Sequence, residues 1–266
     1  MGRYTNFLLL TDLDGTLLPQ NKLLSSVDLM AIRQFRSEGG KFSIATGRTL
    51  QAAQRYLDAL ELDTPVILFN GAAIYDPAMK SMLNTVTLPS AAVEVTRLVL
   101  DTFPDVSAEI LCVDNTYVPR MTFYEQEHLL ICQVEPVCEA FDELPHGGWL
   151  KVLFAMAPER MADVASFFHE KQIDFADFVQ SEAHFYEMLP KSTTKGSALQ
   201  KLRRMPLFRN MQVVAVGDFD NDLEMLQTAD ISVCPSNAQP CVQAVADLRL
   251  TASCNTGAIA ELIDKL

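Results

Sequence analysis

Short apolar runs alternate with helical segments at the start of the chain, and this alternation constrains the fold more than any other feature. The unbroken apolar character of the runs is typical of strands buried on both faces of a sheet. The predicted order is strand 7–11, a helix capped by Ser25 and ended by Gly39 and Gly40, strand 41–45, helix 48–60 and strand 65–69. Such an order predicts a doubly wound α/β fold built on a parallel sheet.

The end of the chain repeats this alternation, whereas the middle does not. Residues 195–204 are predicted as a helix and 212–216 as a strand, and shorter helices and strands follow to the end. Between about residues 83 and 189, strand pairs and helices are mixed, which is typical of an α+β insertion. We therefore expect a core of residues 1–83 and 190–266 that is interrupted by an inserted α+β domain of residues 84–189.

The charge and the cysteines limit the classes of partner and the compartment. The 266 residues carry a formal net charge of −13, which repels nucleic-acid backbones and anionic lipid, so neither is an expected partner. The apolar run at residues 7–10 is too short for a signal peptide, and no run approaches the length of a membrane span. The six cysteines are scattered without a C-x-x-C pair, as is typical of thiols in a reducing compartment. These features predict a cytoplasmic protein.

Polar residues follow the predicted parallel strands, at the sheet edge where such folds bind ligands. The four segments are Thr11-Asp12-Leu13-Asp14-Gly15-Thr16, Thr46-Gly47-Arg48, Asn70-Gly71-Ala72 and Gly217-Asp218-Phe219-Asp220-Asn221-Asp222. Lys195 and Gly196 open the helix that precedes the last of these strands. One such segment alone would be weak evidence for a functional site, because aspartates at strand ends commonly cap loops. Their joint occurrence predicts a single functional site.

Four carboxylates would converge at this edge, and they would repel one another without a cation. They are Asp12, Asp14, Asp218 and Asp222. Mg²⁺ fits best, because it takes one or two carboxylates together with water and substrate phosphate. With Lys195 as a second positive charge, the site is suited to a phosphoryl dianion. We expect Mg²⁺ as the cofactor and a small phosphorylated molecule as the substrate, while the sequence carries no indication of the oligomeric state.

The first two aspartates have distinct predicted roles. Asp12 can attack phosphorus directly, which is nucleophilic catalysis by a carboxylate. Asp14 directs its side chain away from the metal, so it can protonate the leaving oxygen and then deprotonate the attacking water. The sequence therefore predicts a covalent aspartyl-phosphate on Asp12.

These segments resemble the motifs of the haloacid dehalogenase-like (HAD) hydrolases, and within them the Cof-type, or type IIB capped, phosphatases. D-L-D-G-T-L from Asp12 resembles the first motif of the family, T-G-R from Thr46 the second, K-G from Lys195 the third and G-D-x-x-N-D from Gly217 the fourth. The likeness spans nearly the whole chain. It implies a HAD-type core whose inserted cap sets substrate specificity, and hydrolysis of small phosphorylated metabolites, with sugar phosphates favoured.

The resemblance also implies roles for individual residues. Magnesium would be held by Asp12, the backbone carbonyl of Asp14, and Asp218. Asp222 would lie next to these ligands without binding the metal itself. Phosphate would be bound by Thr46, Gly47, Lys195 and Asn221. Arg48 and Asn70 are candidate substrate contacts.

Two other functions remain open. A phosphomutase of the phosphomannomutase type shares the cap type and the D-x-D-G-T motif, but it should carry extra arginines in the cap to hold a bisphosphate. The predicted insertion has only Arg97, Arg120 and Arg160, which favours a hydrolase. A phospho-accepting signalling module also phosphorylates an aspartate on a doubly wound sheet. Such modules are about half this length, lack a cap and have no use for Asp14.

Overall fold

The computed structural model describes residues 2–266, which form two compact units. The first unit comprises the chain up to Arg48 together with Ala53–Asn84 and Thr194–Leu266. The second comprises Thr49–Ala52 and Thr85–Thr193. The predicted fold class is confirmed, because a parallel sheet with surrounding helices is accompanied by additional antiparallel sheets.

The elements alternate along the chain as follows. The strands are β1 (Phe7–Thr11), β2 (Lys41–Ile44), β3 (Val66–Leu68), β4 (Ala73–Asp76), β5 (Ser81–Thr85), β6 (Ser107–Leu111), β7 (Thr116–Tyr117), β8 (Lys151–Ala155), β9 (Ala176–Glu182), β10 (Phe185–Pro190), β11 (Gln212–Val216), β12 (Ile231–Cys234) and β13 (Leu248–Arg249). The helices are α1 (Ser26–Ser37), α2 (Leu50–Ala59), α3 (Ala91–Thr102), α4 (Phe123–Cys132), α5 (Met161–Glu170), α6 (Lys195–Arg204), α7 (Leu223–Thr228), α8 (Pro240–Val245) and α9 (Ala258–Lys265).

The main sheet of the first unit is parallel, with strand order β13-β12-β11-β1-β2. Strand β1 lies between β11 and β2, and Thr11 at its end is aligned with Val216 on one side and Ile44 on the other. The chain leaves β1 for β2 on one side and returns much later to β11 on the opposite side. The strand order therefore reverses between β1 and β11, and open parallel sheets bind ligands at such a switch point.

Apolar packing on both faces positions this sheet. Residues 8–10 of β1 are leucines and are fully buried, as expected for a strand covered on both faces. Leu199 of α6 packs in the same apolar core as Leu8 and Leu10. Helix α1 begins where the Ser25 hydroxyl accepts a hydrogen bond from the backbone N–H of Asp28, and this helix packs against α9.

The buried strand predicted at residues 65–69 is confirmed as β3, but its predicted place in the parallel sheet is wrong. Strand β3 belongs to a three-stranded sheet of order β3-β4-β5, and it pairs antiparallel with β4. A single parallel bridge, between Ala45 and Ile67, connects it to the end of β2. The cause is the tight turn after β3, where Phe69, Asn70 and Gly71 all have positive φ and reverse the chain at once.

The second unit is built on a five-stranded antiparallel sheet of order β7-β6-β8-β10-β9. Its apolar core contains Trp149, Phe154 and Phe168. The indole N–H of Trp149 donates a hydrogen bond to the carbonyl of Pro145 at 2.6 Å, so this buried ring is satisfied. Among residues 2–266, no helix is long and apolar enough to cross a membrane.

Candidate active site

Three neighbouring strands of the parallel sheet carry site residues just beyond their carboxyl ends. Asp12 follows β1, Thr46 follows β2 after one residue, and Asp218 follows β11 after one residue. Because the ends of these strands are in register, the three residues lie at the same edge. Their exposed fractions are only 5%, 1% and 9%, so the site is largely withdrawn from water. The sheet thus brings together three of the predicted motifs.

Helix α6 supplies the cation of the site. Thr194 caps the start of this helix: its hydroxyl accepts a hydrogen bond from the backbone N–H of Ser197, and the Ser197 hydroxyl accepts one from the backbone N–H of Thr194. Lys195, the first helical residue, is 1% exposed. Its ammonium group donates to Asp12 Oδ1 at 2.6 Å and to Asp222 Oδ1 at 2.7 Å. Burial alone would lower the pKa of Lys195, but the two carboxylates raise it, so the side chain is charged.

A close approach of two backbones positions this helix. Gly71 has φ 103°, and a Cβ at this position would lie 2.1 Å from the carbonyl oxygen of Thr194. Only a residue without a side chain permits the turn after β3 to pack against the start of α6. Gly71 belongs to the strand-end segment Asn70-Gly71-Ala72, and this contact explains why a glycine is required there.

Three carboxylates lie close enough to share one metal ion. One oxygen from each of Asp12, Asp218 and Asp222 falls within 4.8 Å of the others. Burial raises the pKa of Asp12 well above its usual value. The positive charge of Lys195 lowers this pKa, whereas the negative charges of Asp222 and Asp218 raise it further. Burial likewise raises the pKa of Asp218 to about 6. One lysine does not neutralise three buried acids, and an all-oxygen donor set suits a hard divalent cation.

The hydrogen bonds of Asp222 and Asp218 distinguish their roles. Asp222 Oδ1 is bound by Lys195, and its Oδ2 accepts the backbone N–H groups of Asp218, at 2.9 Å, and Phe219. Both Asp222 oxygens therefore hold the surrounding structure in place. Asp218 Oδ1 accepts the hydroxyl proton of Thr16 at 2.6 Å. Within residues 2–266, Asp12 Oδ2 has no hydrogen-bond partner, so it is available to a ligand.

Asp14 lies apart from these carboxylates and is bound by two cations. The guanidinium of Arg48 donates two hydrogen bonds to it, from Nε to Oδ2 at 2.7 Å and from Nη2 to Oδ1 at 2.8 Å. Lys22 Nζ adds a third at 2.7 Å. Burial alone would raise the pKa of Asp14, but Arg48 and Lys22 lower it to about 2. Asp14 is therefore ionised in this state.

Two asparagines and a glycine line the edge beside Thr46. The Thr46 hydroxyl accepts the backbone N–H of Arg48 at 3.2 Å, which leaves its own proton available as a donor. Asn221 donates from Nδ2 to Asn70 Oδ1 at 3.1 Å, so the third and fourth strand-end segments meet there. A Cβ on Gly47 would lie 2.9 Å from Asn70 Oδ1, which explains the small residue after Thr46.

Three residues at the site were not singled out from the sequence. Lys22 binds Asp14, Thr16 binds Asp218, and the Asn237 side chain donates to the carbonyl of Gly15 at 2.7 Å. Thr16 could have been found, because it stands inside the first motif. Lys22 and Asn237 lie in loops where no periodicity indicates their partners, so only the folded chain shows their contacts.

Comparison with known proteins decides the family. The model of the haloacid dehalogenase-like hydrolases matches residues 9–263, nearly the whole chain. The chain belongs to the haloacid dehalogenase-like hydrolases. It is therefore an enzyme of a hydrolase family, and the resemblance expected from the four motifs is confirmed.

The relatives of this HAD-like hydrolase include named phosphatases. The 5-amino-6-(5-phospho-D-ribitylamino)uracil phosphatase YitU of Bacillus subtilis is 28% identical over 272 residues, covering 97% of this chain and 96% of its own. The HMP-PP phosphatase of Yersinia pseudotuberculosis is 28% identical over 258 residues, covering 95% of this chain and 92% of its own.

Solved structures show the same fold over nearly the full length. A haloacid dehalogenase-like hydrolase from Bacteroides thetaiotaomicron superposes with a TM-score of 0.87 at 24% identity, covering 99% of each chain. The HAD subclass IIB sugar phosphatase BT4131 superposes with a TM-score of 0.82 at 21% identity, covering 97% of this chain and 98% of its own. The chain thus has the fold of a subclass IIB member.

Proposed function

We propose that this HAD-like hydrolase is a Mg²⁺-dependent phosphatase that hydrolyses small phosphorylated metabolites, sugar phosphates foremost, through an aspartyl-phosphate on Asp12. The observation that carries the proposal is the contact of Lys195 with Asp12, beside Asp218 and Asp222, in a buried site at the switch point of the sheet. In the proposed mechanism, Asp12 is the nucleophile, Lys195 is a fixed cation and Asp218 is a metal ligand, and their close contact supports these roles.

Mg²⁺ fits the donor set. Asp12 and Asp218 would hold the ion together with the backbone carbonyl of Asp14, while Asp222 fixes the loop that carries Asp218. When bound, the ion supplies positive charge that neutralises the carboxylates and the substrate phosphate. Lys195 holds Asp12 in place through its hydrogen bond and supplies a second positive charge beside the metal ion.

The chemistry takes two steps. First, an oxygen of Asp12 attacks phosphorus, the bond between phosphorus and the leaving oxygen breaks, and the Asp14 carboxyl gives its proton to that oxygen. Then water attacks the phosphorus of the acyl-phosphate and gives a proton to the Asp14 carboxylate. The bond between phosphorus and the Asp12 oxygen breaks, and inorganic phosphate leaves. Thr46, Gly47, Asn221 and Lys195 bind the phosphate oxygens throughout.

Asp14 must acquire a proton before the first step. In the substrate-free state its carboxylate is bound by Arg48 and Lys22, which favours the ionised form. A phosphate dianion entering the site competes for the same two cations. When they turn to the substrate, the pKa of Asp14 rises, because its opposing charges are drawn away and the phosphate adds a negative one. Arg48 thus couples substrate binding to the acid function of Asp14.

The predicted insertion of residues 84–189 overlaps most of the second unit, and we propose that it acts as the substrate-specificity cap. Its arginines are already engaged within the unit. Arg97 pairs with Asp142, Arg160 pairs with Asp105, and Arg120 Nη1 donates to backbone carbonyls, among them that of Leu100 at 2.9 Å. Because these arginines are engaged, few of their N–H groups remain to bind a bisphosphate. This supports a hydrolase over a mutase. We also propose a cytoplasmic location, with a small phosphorylated molecule as the partner.

A metabolite screen tests the proposal. The purified protein is supplied with Mg²⁺ and a panel of sugar phosphates, nucleotides and an aryl phosphate, and inorganic phosphate is measured. We expect release that depends on Mg²⁺ and is strongest for small monoesters. Migration of phosphate within a sugar, without release, would instead identify a mutase, and no turnover of any member of the panel would contradict the proposal.

A further inference from the structure

A second cluster of acidic and imidazole side chains lies inside the second unit. It comprises Glu109 on β6 and Glu125 and His128 on α4. One ligand atom from each residue falls within 4.8 Å of the others. His128 Nδ1 lies 2.7 Å from Glu109 Oε2. The two glutamates are 2% and 0% exposed, which is exceptional for acidic residues.

The positions of these residues follow from the local structure. Glu125, His128 and Cys132 recur at i, i+3 and i+7 of α4, so they share one face of the helix. Ser107 and Glu109 are two residues apart on β6, so they share one face of the strand. The Ser107 hydroxyl donates to Glu125 Oε2 at 3.1 Å, which shows that these two faces meet.

With both glutamates ionised, the charges in the cluster would not balance. Among the described residues, the one ion pair of these two glutamates is that between Glu109 and His128, so there are two acids for one base. Among residues 2–266, no N–H or O–H group of an uncharged or cationic residue donates to the buried Glu125 Oε1. A buried carboxyl oxygen without such a donor is costly, so a site of this kind requires either a retained proton or a cation. This carboxyl belongs to the same group of ligand atoms and points to a missing positive partner.

We propose that Glu109, Glu125 and His128 form a second metal site, which takes a divalent transition metal of the zinc class. The donor set distinguishes this site from the all-oxygen site of Asp12 and Asp218. An imidazole among two carboxylates favours zinc-like ions over Mg²⁺ and Ca²⁺, which prefer oxygen alone. The proposal does not depend on the phosphatase activity, because it uses none of the residues assigned to that function.

The ligand spacing defines what binding would change. Ligand atoms around a tetrahedral zinc ion lie roughly 3.3 Å apart at the usual bond lengths. The 2.7 Å distance between His128 Nδ1 and Glu109 Oε2 would therefore increase slightly on metal binding. The proton in the hydrogen bond between these two atoms would be released. Cys132 Sγ lies 3.4 Å from His128 Nε2, so the thiol holds the far side of the ring. The bound ion would join α4 to β6 and stabilise the unit.

The test is zinc binding by the full chain in a background that removes competing sites. Cys138 and Cys241 are exposed thiols and are changed to serine, and Asp218→Asn removes the catalytic metal site. After chelator treatment and dialysis, ZnCl₂ is titrated in excess MgCl₂. Bound zinc is measured by elemental analysis and the melting temperature by calorimetry. We expect one equivalent of zinc and a rise in melting temperature, while MgCl₂ alone has neither effect on this background.

Glu125→Gln and His128→Gln, each made in that background, should weaken zinc binding at least ten-fold. The matched control is His169→Gln, which changes an exposed histidine of α5 and should leave zinc binding intact. Glu125→Gln also mimics a protonated carboxyl, so it should fold even if His128→Gln does not. The absence of a zinc equivalent in the background protein, or unchanged zinc affinity in Glu125→Gln, would overturn the proposal and identify a shared structural proton instead.

Discussion

Arg48 binds the carboxylate of Asp14 through two hydrogen bonds, from Nε at 2.7 Å and from Nη2 at 2.8 Å. A bidentate charged pair of this kind is stronger and more directional than a single contact. Lys22 adds a third bond to the same carboxylate. These contacts hold the group proposed as the general acid in its ionised form. This relationship has consequences for stability and for catalysis.

The stability consequence depends on pH. Asp14→Asn should lower the free energy of unfolding at pH 7 by about 1 kcal/mol or less, because the carboxylate is partly exposed. The folded-state pKa, about 2, lies below the usual 3.8, so the contribution is present above pH 3.8 and is lost as the pH falls towards 2. Urea unfolding of both proteins between pH 7 and pH 2.5 measures this difference.

The difference between wild type and Asp14→Asn should narrow across the acid end of that range. Asp58→Asn, at an exposed position on α2, is the control and should show a small difference at every pH. A pH-independent gap for Asp14→Asn would mean that the ion pairs do not stabilise the fold.

The catalytic consequence concerns the leaving group. Asp14→Asn should reduce kcat by about 10²–10⁴-fold for alkyl phosphates, whose leaving oxygens need a proton. The loss in the first step should be much smaller for aryl phosphates with acidic phenols, because such groups leave without protonation. Single-turnover measurement of phenol or alcohol release separates this step from hydrolysis of the intermediate. An equal loss for good and poor leaving groups would exclude the acid role.

Lys195 is expected to serve both stability and function. Lys195→Met leaves Asp12 and Asp222 buried without their cation, so the free energy of unfolding should fall by about 3 kcal/mol. Phosphatase activity should fall by about 10²–10³-fold, since a preorganised charge at the phosphate is lost. Lys201→Met, on the same helix but bonded to Asn84, is the matched control. Loss of stability without loss of activity would limit Lys195 to a structural role.

Gly71 tests how the site is assembled. Gly71→Ala combines a positive φ with a Cβ at 2.1 Å from the Thr194 carbonyl oxygen, and it should destabilise the protein by about 2 kcal/mol or more. Activity should also fall, because Thr194 caps the helix that carries Lys195. Gly147→Ala is the control, since its Cβ would meet no atom within 4 Å. Equal melting temperatures for the two variants, measured by calorimetry, would contradict this account.

The sequence predicted the parts of the fold that depend on local patterns. The apolar run of β1, the Ser25 cap of α1 and the span of α6 were all predicted as the structure has them. Residues 65–69 were assigned to the wrong sheet, because a buried apolar run does not reveal its partner. The partner was set by three successive positive-φ residues, which no periodicity indicates.

The candidate site was more predictable than its internal contacts. Strand-end motifs are short and ordered, so the convergence of Asp12, Asp218 and Lys195 could be inferred before any coordinates. The partners of Asp14 could not be inferred in full, because Lys22 comes from a loop whose path depends on tertiary packing. The cluster around Glu125 could not be predicted either. Its residues resemble ordinary surface charges in the sequence, and only the packing of α4 on β6 brings them together.

In the proposed mechanism, Asp12 carries the phosphoryl group during turnover. The direct measurement is rapid acid quenching of the enzyme with substrate and Mg²⁺, followed by mass spectrometry of the peptide that contains Asp12. We predict a phosphoryl adduct on Asp12 in wild type, and its absence in Asp12→Asn together with loss of phosphate release. Wild-type enzyme that turns over without any adduct, combined with full activity in Asp12→Asn, would exclude an aspartyl-phosphate intermediate.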